Sequence, residues 1–303
     1  MKSRRLLLAL GLAAALPFAS FAANSSESLS ADLLSQVQTA AAAGDSAALA
    51  TIRNLVTANP TLAASIAAAA AAANPAKAAD FTTAVVGAAP TSAPLIAAAV
   101  IKAIPAADAS TRAAAITGAA VGSSSGLAAE VAAAVVQSLP AATAVAKVAD
   151  IAAAAAQNSS AGQAPSITAA AILALPASVT AADKQTAALA VATRVTDAQT
   201  LANKGDIAAV VVNLLTTADT SAATRTQLIA SAGAATNLDT NAVTNALNGD
   251  AARNAITAGT NAASTGSAAA TTGGTLVANL TASGNNGFPA QPSENLPNTT
   301  TNT

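Results

Sequence analysis

The chain has 303 residues with 13 basic and 14 acidic side chains, and about a third of it is alanine. It contains no His, Cys, Trp or Tyr. Zinc and copper sites ordinarily need imidazole or thiolate, and Ser–His and Cys–His nucleophile pairs are impossible here.

The N-terminus has the three-part layout of a secretory signal. Lys2, Arg4 and Arg5 precede an apolar run from Leu6 to Ala15, Pro17 breaks it, and Ser20-Phe21-Ala22 supplies small residues for cleavage. Residues 1–22 are expected to be removed, with a cut after Ala23 as the alternative. Ser3-Arg4-Arg5-Leu6-Leu7 also resembles a twin-arginine export signal, with Leu7 in place of the usual Phe. No cysteine follows the apolar run, so a lipoprotein anchor is excluded. Cleavage would remove three positive charges and leave ten basic against fourteen acidic residues, a net charge of −4. That balance does not suit nucleic acid. Only Phe81 and Phe288 would remain as aromatics, too few for a base-stacking platform.

Residues 23–29 read as a flexible N-terminus, and residues 30–258 as an alanine-rich helical repeat. Pro60, Pro75, Pro90 and Pro105 recur at a spacing of fifteen. Ile66, Phe81 and Ile96 lie six residues after the first three. Val85-Val86 and Val100-Ile101 lie ten and eleven after Pro75 and Pro90, and Ile116 eleven after Pro105. Those offsets fall on one helical face, so each unit reads as one three-turn helix with one apolar stripe. Proline suits the first turn and disfavours helix in the residue before it, which separates the units.

Less regular punctuation follows. Gly44-Asp45, Gly205-Asp206, Asp219-Thr220-Ser221, Asp239-Thr240 and Gly249-Asp250 each read as a helix end followed by an N-cap. Gly122-Ser123-Ser124-Ser125-Gly126 reads as a loop, since it lacks the Lys and the strand of a phosphate-binding loop. Pro140, Pro165 and Thr180 open further helices. The count is roughly fourteen between Ser30 and Ala258. The expected fold is all-α, an α-solenoid of short helices with about fifteen residues per helix-turn unit.

From Gly259 onward Ala, Thr, Asn, Ser and Gly dominate and Glu294 is the only charge. Residues 259–303 are expected to form a low-complexity, disordered tail. Leu296-Pro297-Asn298-Thr299-Thr300 resembles a sortase sorting signal, but Thr300 replaces its Gly and no apolar segment follows.

No residue is singled out as catalytic, cofactor-binding or metal-binding. The five aspartates above are explained by capping. Arg53, Lys77, Lys102 and Arg112 read as solvated faces, and Asp150, Asp183 and Asp197 lack a carboxylate-pair spacing. The region from about Ser30 to Ala258 resembles alanine-rich helical-repeat proteins of exported bacterial type. That resemblance supplies no defined activity; the repeats and the missing catalytic groups point to a periplasmic or secreted non-enzymatic scaffold for a protein, peptide or cell-envelope partner. No nucleic acid, no cofactor and no stable transmembrane segment after cleavage are expected. Alanine- and threonine-rich helices also resemble fish-type helical antifreeze proteins, which implies an ice- or surface-binding alternative. Thr82, Thr111 and Thr143 do not keep that family's eleven-residue period. A hydrolase using carboxylates and Lys is the third reading.

Overall fold

The computed structural model describes residues 29–198, 203–216 and 220–282. The signal segment, residues 23–28, Asp219 and residues 283–303 of the expected tail lie outside the described residues. Those described are all-α, with fourteen α-helices and no strand. Alanine is the best helix former but contributes only a methyl group to packing, so short helices here depend on stacking.

The helices, numbered in chain order, form two rows. The odd row contains α1 (Ala31–Ala43), α3 (Ala63–Ala73), α5 (Ala93–Ala103), α7 (Ala128–Ser138), α9 (Ala164–Leu173), α11 (Lys204–Leu215) and α13 (Thr240–Leu247). The even row contains α2 (Ser46–Ala58), α4 (Ala78–Ala88), α6 (Ala106–Gly122), α8 (Ala141–Gln157), α10 (Ala181–Ala198) and α12 (Ala222–Thr236). Each helix packs against its successor in its own row and against its chain neighbours in the other. Ile52, Ile66, Phe81, Ile96, Ile116 and Ile151 are fully buried in the core, including the residues marked by the fifteen-residue spacing.

The prolines act differently from expectation. Pro60, Pro75 and Pro90 do not start α-helices. Each opens a three-residue 3-10 turn, and an eleven-residue α-helix follows. The preceding Asn59, Asn74 and Ala89 sit at φ near −140° and outside the helical region, as the proline ring requires. Pro105 and Pro140 instead stand as extended N-cap residues of the longer α6 and α8.

Two of the five aspartates cap as expected: Asp45 Oδ1 accepts from Ala48 N–H at 2.8 Å and Asp239 Oδ1 from Ala242 N–H at 2.7 Å. Asp206 lies within the first turn of α11, behind Asn203, and Asp250 begins its helix. Ser221 caps α12.

Single apolar stripes describe the even row and the two ends of the odd row, α1 and α13. In α6 the buried residues are Ala109, Ala113, Ile116, Thr117, Ala120 and Val121, at helical spacing. The odd helices between those ends are covered on nearly every side: in α3 every residue from Ala63 to Ala72 is buried. The cover is α14 (Asp250–Ala282), a helix of 33 residues and thus about 50 Å long. It crosses the odd row, packing on α3, α5, α7, α9 and α11. Residues 259–282 are therefore not a tail, and the boundary expected at Ala258 falls inside a helix.

Candidate interaction surface

The contact between α14 and the odd row repeats every seven residues. Ala252, Gly259, Gly266, Gly273 and Leu280 form its buried stripe. Gly259 lies against Ala169 and Ala170 of α9, Gly266 against Ala133 and Ala134 of α7, and Gly273 against Ala98 and Ala99 of α5. Ala252 joins a cluster with Ala208 and Ala209 of α11. Seven residues of helix rise about 10.5 Å. Packed helices stand about 8–10 Å apart. One heptad of α14 therefore advances about one odd-row helix, which brings the same position to each crossing.

The fit requires the absence of side chains. A Cβ added at Gly266 would lie 2.7 Å from both Ala133 Cβ and Ala134 N, and one at Gly273 would lie 2.9 Å from Ala99 N. At Gly259 it would collide with Ala169 Cβ. Ala262, Ala263, Ala269, Ala270 and Val277 fill the flanks of the stripe and are buried.

Polar groups edge this alanine floor. Gln137 of α7 donates Nε2–H to the Ala263 carbonyl at 3.2 Å, while its Oε1 is buried without a partner. Glu130, one turn before Ala133-Ala134, lies on the same helical face. Burial pushes its carboxyl above the usual range, partly offset by a hydrogen bond from its own backbone. From Asn254 to Ala282 α14 carries no charge, and α9 carries none. Lys102, the only charge on α5, sits one turn beyond Ala98-Ala99, on the row that α14 crosses, and is half-buried rather than part of a solvated face.

Among the described residues most charges lie on the even row, and three ion pairs form there. Arg112 binds Asp108 along α6 and the Ala76 carbonyl across the turn before α4. Arg194 of α10 binds Asp150 of α8 at 3.0 Å, and Lys77 binds Asp80 at 3.1 Å. Thr51, Thr57, Thr83, Thr111, Thr186 and Thr193 on this row return their hydroxyls to backbone carbonyls.

An open groove of about 460 Å³ between α1 and α2 is lined by Ser35, Gln36, Thr39, Asp45 and Thr51. Its one carboxylate, Asp45, is engaged in capping α2. The loop Gly122–Gly126 links α6 through a 3-10 turn to α7. Among the described residues no group of three or more His, Cys, Asp or Glu converges on a metal-sized space. Among them no single helix is long and apolar enough to cross a membrane. The α2–α3 pair has the length and composition, but is bent by 117°.

Comparison with protein-family models, with characterised proteins and with solved structures gave no match.

Proposed function

We propose that the protein is an exported, non-enzymatic scaffold that offers the outer surface of its even row to a protein, peptide or cell-envelope partner. The observation that supports this is an asymmetry between the rows. From α3 to α11 the odd row is covered by the chain's own α14, whereas the even helices keep one face exposed from α2 to α12. Three ion pairs tie charges there, Lys77 to Asp80, Arg112 to Asp108 and Arg194 to Asp150, and threonine hydroxyls are turned back to carbonyls. A partner would meet methyl groups and fixed dipoles with little side-chain entropy to lose. Site-specific photo-cross-linking in the exporting cell tests this. Probes at Thr83, Thr111 and Thr193 should capture one shared partner and a probe at Thr271 on α14 should not. Equal capture at all four positions, or capture at Thr271 alone, would reject the even-row surface.

The outer face of α14 supports a second reading, in which that face binds ice or another ordered surface. Thr257, Ser264 and Thr271 lie on it at seven-residue steps and are exposed, as are Thr260, Ser267 and Thr281. Thr257 and Thr260 donate their hydroxyls to the Arg253 and Ile256 carbonyls, which fixes their rotamers. An ice-recrystallisation assay decides it: inhibition by the full chain, lost in Thr271→Lys, favours this reading over the scaffold.

A further inference from the structure

From the α14 interface we infer that α14 is an exchangeable element, able to dock on the odd row of a second copy as it docks on its own. It stands outside the alternation of rows that orders the other helices, and it is joined to α13 by Asn248 and Gly249 alone. That joint is close to helical. Asn248 lies at φ −83°, ψ −11°, and Gly249 N–H donates to the Ala246 carbonyl at 3.0 Å. A small change there turns α13 and α14 into one continuous helix and carries α14 off its own floor.

The surface left behind would be the alanine floor of α5, α7 and α9, with Gln137 and Glu130 on its edge. Its occupant must be a helix with a small residue at every seventh position. It must also bring no carboxylate, since Glu130 already edges the floor with no cation on α7 or α9 to offset a second one, and α14 brings none between Asn254 and Ala282. A second α14 meets both conditions, through the same glycines against the same alanines. Exchange between copies therefore preserves the contacts α14 makes with α5, α7 and α9 within one chain, the condition under which swapping is a low-cost route to dimers. Fusing the helices forbids the turn back and leaves the contact between copies as the way to cover both floors.

Light scattering on the full chain tests the exchange. Asn248→Ala combined with Gly249→Ala should shift the protein from one-chain to two-chain mass at equal concentration. Adding Gly266→Leu should return it to one-chain mass. A hinge variant that stays single-chain, or a dimer that survives Gly266→Leu, overturns the proposal. If the hinge variant does not fold, mixing decides. Full-length Ala134→Leu blocks the floor against Ala269 but keeps an intact α14, and Gly266→Leu keeps an intact floor. Their mixture should form a one-to-one two-chain species that neither forms alone, and a mixture that remains two single-chain species overturns the exchange.

Discussion

At the scale of single residues, glycine has opposite roles within one helix. Gly274 has no atom within 4 Å of its absent Cβ, and Gly87 on α4 likewise faces open space. Gly274→Ala and Gly87→Ala should each stabilise the protein by about 0.5–1 kcal/mol, because alanine loses less backbone entropy in a helix. Gly266→Ala should do the reverse, by about 1–3 kcal/mol, since backbone and Cβ atoms at 2.7 Å can yield only if α14 lifts. Thermal melts of the three variants check this, and a Gly266→Ala variant that melts above the native protein would contradict the close contact. Glu130 gives a pH prediction. Burial raises its folded pKa, so its neutral form favours folding at low pH. That contribution is full below the ordinary glutamate value and is lost as pH rises through the raised folded value. Glu130→Gln should thus melt higher than the native protein at neutral pH, with a gap that closes on acidification. A gap independent of pH would assign the effect to packing.

At the scale of elements, the turns carry connections that the helices alone do not. Asn74 donates Nδ2–H to the Ala41 carbonyl at 3.0 Å and so closes the C-terminus of α1 from the turn before α4. Asn59, in the equivalent place before Pro60, instead bonds Leu55 of its own helix. Asn74→Ala should cost about 1 kcal/mol and loosen α1 specifically, read as faster amide exchange in residues 31–43. The spacing of Ile66, Phe81, Ile96 and Ile116 was legible because large side chains in an alanine background mark the core directly. The 3-10 turns were not, because proline fits the first turn of either helix type. Asp206 was misassigned because an aspartate after glycine suits both a cap and a first turn, and Asn203 took the cap position. In residues 259–282 small size obscured the reading. From Gly259 to Thr275 the sequence lacks the large apolar residues that reveal a stripe, yet Gly259, Gly266 and Gly273 at intervals of seven were the signal. Glycine there reflects close approach, and composition alone assigned it to flexibility.

At the scale of the whole molecule, alternating rows make a pair of helices the unit that can be removed. Deleting Pro60–Ala89 joins Asn59 to Pro90 and removes α3 with α4, so every remaining helix keeps its row. Deleting only Pro60–Asn74 joins Asn59 to Pro75 equally well but places α1 and α2 in the wrong rows for all that follows. The pair deletion should remain soluble and helical, less stable because the last heptad of α14 around Leu280 loses α3. The smaller deletion should misfold or aggregate, and two deletion variants that fold equally well would rule out row alternation. The covering helix ties this architecture together, and amide hydrogen exchange tests it most directly. Residues 259–282 should be protected to the level of α5, α7 and α9, and Gly266→Leu should release protection in α14 and in those three helices together. Exchange of residues 259–282 at the rate of an unfolded chain in the native protein would contradict the account.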